Sequence, residues 1–86
     1  MQMTLCLDGL PTWMTSTQVA DLCAPYGNVQ SARVVCDAYG ASMNYGFVQM
    51  ATVEEAEGVV QALDGCYQFG TLLYVARTYP RVSQAS

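Results

Sequence analysis

The sequence predicts an α+β sandwich, with four strands in one antiparallel sheet and two helices on a single face, in the order β-α-β-β-α-β. Two observations predict it. The hydrophobic period switches between two and about 3.6 along the chain, in that order. Two capping signatures, Thr15 with Gln18 and Thr52 with Glu55, open the helical stretches. At 86 residues, 52% of them hydrophobic, the chain suits one domain with a single modest core rather than disorder.

The first strand is "MTLCLD", Met3–Asp8, which alternates so that Met3, Leu5 and Leu7 share a face, and "GLP" turns the chain after it. From Thr15, Val19, Leu22, Cys23 and Tyr26 form the stripe of an amphipathic helix. Met14 is placed to staple onto Val19, Pro25 lies near the helix end, and Gly27 suits the position beyond it. The β-branched run from Asn28 to Asp37 is the second strand, "AYGAS" a loop, and "NYGFVQM", Asn44–Met50, the third strand. In the second helix Ala56, Val59, Val60 and Leu63 face inward. Glu54, Glu55 and Glu57 sit at its start, where the helix dipole favours negative charge, so they are a solvated helix start and not a catalytic cluster. Gly65 ends the helix and "TLLYVARTY" supplies the fourth strand.

Both helices must then cover one face of the sheet, the ferredoxin-like arrangement. Alternation assigns Leu5, Leu7, Ala32, Val34, Gly46, Val48, Met50, Leu73 and Val75 to the covered face. It leaves Cys6, Asp8, Arg33, Val35, Tyr45, Phe47, Gln49, Tyr74 and Ala76 on a face that nothing else in the pattern covers. Residues 1–79 are expected to form the domain, and residues 80–86 a short C-terminal tail.

Charge and composition exclude several functions. Seven acids against three arginines, with no lysine, give a net charge of −4, which opposes strong salt-driven binding to nucleic acid or to anionic membranes. With no histidine, no Ser-His or Cys-His arrangement exists, no phosphate-binding glycine loop is present, and no enzyme is expected. Cys6, Cys23, Cys36 and Cys66 are widely spaced, so free thiols are expected, with no metal site and no cofactor. The longest apolar run, Leu72–Ala76, is far short of a membrane span, and the N-terminal segment is a poor signal peptide. The expected location is the cytoplasm, or the nucleus in a eukaryote.

From Thr4 to Thr78 the chain resembles an RNA recognition motif. The family's octapeptide is K/R-G-F/Y-G/A-F-V-x-F/Y, and Met43-Asn44-Tyr45-Gly46-Phe47-Val48-Gln49-Met50 matches its four middle positions. Leu5-Cys6-Leu7-Asp8-Gly9-Leu10 is similar to the family's first-strand hexapeptide, and Pro11 follows as usual. The resemblance implies an open sheet face that stacks single-stranded RNA bases. Carried over residue by residue, Tyr45 and Phe47 become the main stacking rings, with Cys6 and Gln49 beside them on the face. Tyr74 adds a ring from the fourth strand. Arg33 reaches a phosphate or base edge, and Arg81, after Pro80, folds back over a bound strand. Strict alternation turns Arg77 away from that face.

The departures set the expected strength. Cys6 stands where the family carries an aromatic, Met43 where it carries a cation, and the loop around Tyr39 has no basic residue to grip phosphate. Two stacked bases give ~2–6 kcal/mol gross, whereas a millimolar complex needs ~4 kcal/mol net. The expectation is therefore weak, short-footprint binding of single-stranded RNA with a shallow salt dependence. The competing reading is a variant of the same fold that uses its exposed aromatics to bind protein or a second copy of itself. Trp13, the one tryptophan, is expected to pack over the end of the core, its alternative being a lateral contact surface. Met1 and the short tail fit a small stand-alone protein, as in bacterial members of the family, and equally fit one domain of a longer protein.

Overall fold

A computed structural model of the chain describes residues 2–78. Strand β1 (Met3–Asp8) lies in the middle of the sheet, between β3 (Ser42–Met50) and β6 (Tyr74–Thr78), with β2 (Val29–Cys36) beyond β3. All three pairings are antiparallel. Helices α1 (Ser16–Cys23) and α2 (Val53–Leu63) cover one face. This is the predicted sandwich, reached because alternating strands leave an aliphatic face that only the helical stripes can bury.

The core is continuous. Leu5, Leu7, Val48, Met50, Leu73 and Val75 from the sheet meet Val19, Cys23, Ala56, Val59 and Leu63 from the helices. Ala32 and Val34, on the edge strand, are half-buried. Gly46 is buried for a specific reason: a β-carbon there would collide with the carbonyl oxygen of Arg33 on β2. The glycine in the middle of the octapeptide thus lets β2 and β3 approach.

The first capping box forms as expected. The Gln18 amide donates to Thr15 Oγ1 at 3.2 Å, and the Thr15 amide donates to Gln18 Oε1 at 2.8 Å. The second is half a box. The Glu55 amide donates to Thr52 Oγ1 at 3.1 Å, but the Glu55 carboxylate does not return to the cap. Its side chain lies instead against Gly27, where there is no β-carbon to keep it away.

Two further expectations need correction. Helix α1 tightens after Cys23 into a 3-10 turn over Ala24–Tyr26 with Pro25 inside it, and this swings Tyr26 out of the buried stripe to the surface. The expected fourth strand is broken at Leu73. Its first part, β5 (Thr71–Leu72), pairs with β4 (Tyr67–Gln68) in a separate hairpin, and β6 begins at Tyr74. The cause is the chain's path between the two. The Leu73 amide donates to Cys66 O at 2.9 Å and the Gly65 amide to Leu73 O at 2.8 Å, so Leu73 is tied to the end of α2. The tip residues Phe69 and Gly70 have φ of 56° and 76°, both left-handed, as a two-residue type I′ turn requires. The end of the expected fourth strand at Tyr79, the boundary between residues 79 and 80, and Arg81 lie outside the described residues.

Candidate nucleic-acid interface

Sheet register, not sequence proximity, assembles the candidate site. On the uncovered face, Phe47 of β3 has Arg33 of β2 on one side and Cys6 of β1 on the other, with Ala76 of β6 opposite Cys6. The next row runs Tyr45, Asp8, Tyr74. The row on the opposite side of Phe47 is polar: Ser31, Gln49, Thr4 and Thr78. The structure therefore brings Cys6, Arg33, Tyr45, Phe47, Gln49 and Tyr74 onto one surface, while Arg81 lies outside the described residues.

Tyr45 and Phe47 meet edge to face, with ring centroids 6.0 Å apart and planes at 84°. Such a pair orients the two rings against each other through a favourable edge-to-face contact. Both are half-buried by their neighbours, whereas Tyr74 is 55% exposed on the far side of Asp8. Asp8 interrupts the aromatic row. Its carboxylate accepts from the Gly9 amide at 2.8 Å, which turns it toward the turn after β1. Beside Phe47 lies a cleft of about 380 Å³ lined by Thr4, Ser31, Ala32, Arg33, Phe47 and Gln49. It joins one aromatic ring, one cation and several hydroxyl and amide groups, the means to stack a planar group and hydrogen-bond its edge.

Cys6 supplies neither ring nor charge. Burial, with a smaller contribution from the Asp8 carboxylate, pushes its thiol above the usual range, so it stays protonated at neutral pH. Arg77, as alternation predicts, points to the helix side, where it pairs with Glu57. Arg33 is therefore the one described arginine on the open face.

Asn44 is a site residue the alternation missed. Strict alternation would turn Asn44 inward like Gly46, yet its φ is 68° and the β2–β3 register shifts beside it. The bulge lets Asn44 Nδ2 donate to Leu10 O at 2.9 Å while the Leu10 amide donates to Asn44 O at 2.9 Å, clamping β3 to the loop after β1. An asparagine tolerates this conformation better than most residues, the one hint its sequence offered. Trp13 also departs from expectation: it is 57% exposed rather than packed over the core, and meets Phe69 of the β4–β5 hairpin edge to face at 5.6 Å.

Comparison with known proteins agrees with this geometry. The sequence profile of the family described as "RNA recognition motif" matches residues 5–73. The mouse protein "RNA-binding motif, single-stranded-interacting protein 3" is 35% identical over 63 residues, which cover 73% of this chain but 15% of that protein. The chain thus spans a small part of the curated relatives it matches. Among solved structures, "RNA Binding Protein PG1" superposes with a TM-score of 0.87 at 28% identity, covering 94% of this chain and 99% of that one. The "Rna15 RRM with bound RNA (GU)" superposes with a TM-score of 0.77 at 26% identity, covering 85% and 79% of the two chains.

Proposed function

Since the chain belongs to the RNA recognition motif family, we propose that its uncovered sheet face binds short single-stranded RNA, weakly and over a small footprint. The observation that carries this reading is the edge-to-face Tyr45–Phe47 pair beside a cleft containing Arg33 and Gln49. One base stacks on Phe47 and presents its edge toward Arg33, Gln49 and the hydroxyls of Thr4 and Ser31. Tyr45 supports the neighbouring base or sugar, and Tyr74 extends the path beyond Asp8. The relative solved with bound RNA supports the choice of ligand.

The weakness follows from what the face lacks. Two rings give ~2–6 kcal/mol gross from stacking, from which the ordering of a flexible strand subtracts. Cys6 and Ala76 add no stacking surface, and one arginine must offset the repulsion of a chain at −4. A dissociation constant of ~0.1–1 mM is the expected range.

A residue-resolved NMR titration of the whole chain with a degenerate single-stranded RNA hexamer tests this at low salt. The amides of Arg33, Tyr45, Phe47 and Tyr74 should shift and saturate together. A silent sheet would overturn the RNA reading, and signals there that broaden with protein concentration would assign the aromatics to a second copy. Nanomolar binding would overturn the weak, two-ring account.

A further inference from the structure

We propose that Asp8 makes the open face selective for guanine among the four bases, a preference that rests on reading that face as an RNA site and names its substrate more closely. In the sheet, Asp8 pairs with Tyr45 of β3 on one side and with Tyr74 of β6 on the other. It is exposed and is the one acid among the described residues of that face. Among the described residues it has no ion-pair partner.

The turn after β1 does not account for this carboxylate. The Gly9 amide donates to Asp8 Oδ1 at 2.8 Å, and an asparagine or serine would accept that bond without bringing a charge. Within the described residues it is the one hydrogen bond of the Asp8 side chain, so Oδ2 and one lone pair of Oδ1 stay uncommitted between two tyrosines. The charge is felt across the face. Burial first and the Asp8 carboxylate second hold the Cys6 thiol above its usual range.

The donors of each base decide which one matches. A base lying on Tyr74, which at 55% is more exposed than Tyr45 or Phe47, turns an edge to Asp8. The Watson–Crick edge of guanine carries N1–H and the N2 amino group side by side, two donors for two carboxylate oxygens. Such charge-assisted, two-pronged pairs are the strong ones. Adenine and cytosine each offer one amino group beside an unprotonated ring nitrogen, which meets the carboxylate lone pair to lone pair. Uracil offers N3–H between two carbonyls, and both are repelled. Arg33 lies on the outer strand and Asp8 on the middle one, so phosphates are drawn to the first and kept from the second. A base edge, not the sugar-phosphate chain, is left as the partner of Asp8.

The full chain is titrated at low salt with single-stranded RNA hexamers of uridine alone and of uridine alternating with guanosine, adenosine, cytidine or inosine. Inosine keeps the N1–H of guanosine and lacks its amino group. The amide signals of Asp8, Gly9 and Tyr74 give the affinities. The guanosine hexamer should bind at least about five-fold more tightly than the adenosine and cytidine hexamers, with uridine alone the weakest and inosine intermediate. Asp8→Asn retains an acceptor for the Gly9 amide, so the turn survives, but its side chain offers one donor and one acceptor, the match of uracil. In that variant the guanosine preference should vanish and the uridine hexamer should bind more tightly than it does to the parent chain. Face signals that shift with equal affinities overturn the proposal and leave the RNA site standing. So does an inosine hexamer that equals the guanosine one, or a guanosine preference that survives Asp8→Asn. Silence from every hexamer overturns the RNA reading and this preference with it.

Discussion

The two faces of the sheet are built from the same strands, one residue out of phase, and have opposite physics. Leu5, Leu7, Val48 and Met50 are fully buried beneath the helices, where shape and volume decide what fits. Between them in sequence, Cys6, Phe47 and Gln49 are half-buried on a face that the fold leaves uncovered. The covered face is chemically uniform, and the open face mixes rings, an acid, a cation and an amide. Folding needs the first and is nearly indifferent to the second, so the open face is where sequence is available for recognition.

Substitution on the covered face should have the largest effect. Leu7→Ala is expected to cost about 2–5 kcal/mol in urea denaturation, from lost burial and a cavity. One step along β3 from buried Val48 and across to the open face, Phe47→Ala should change stability far less. It should instead weaken the RNA hexamer about five- to 150-fold, the loss of one stacked base at ~1–3 kcal/mol. If Phe47→Ala unfolds the protein or improves its solubility without touching RNA binding, the division between faces fails.

A smaller effect separates the two faces by pH. Burial pushes the Cys23 thiol in the core from 9.0 up to about 11. A raised acid is protonated longer in the folded state than in the unfolded one. Its stabilisation is complete below pH 9 and is lost as pH rises toward about 11. Cys23→Ala should therefore flatten the alkaline fall of thermal stability by about 1–2 kcal/mol, measured between those pH values. Smallest of all is the salt response. With Arg33 the one described cation on the open face, the logarithm of RNA affinity should fall against the logarithm of salt with a slope of about −0.7. A slope several times steeper would mean that contacts beyond the sheet face hold the phosphates.

Much of this architecture was legible because alternation and capping are local signals. Leu5-Cys6-Leu7 and Gly46-Phe47-Val48 read correctly from period two alone, and the ends of β1 agree to the residue. What failed was decided by contacts between distant segments. Nothing in "YQFGTLL" announces that Leu73 will be claimed by the end of α2, and a phenylalanine at φ 56° defeats any reading from turn preference. Asn44 gave a faint hint through its residue type, but its partner Leu10 lies 34 residues away. The Thr52–Glu55 pair misled for the same reason: Glu55 found an open space at Gly27 that only the folded molecule creates. At the candidate interface, the identity of the rings was readable, and their neighbours across the sheet required the register.

The register shifts in β2 have a further consequence for how the molecule behaves in a crowd. β2 is an outer strand, and its pairing with β3 slips between Val29 and Ser31 and again between Val34 and Cys36. Between the slips, the straight ladder is Ser31–Val34, too short and too bent at both ends to serve as a template for a strand from another molecule. Proteins commonly guard such edges with lysine, of which this chain has none. At this edge of the sheet, backbone geometry takes over the task that charge performs elsewhere.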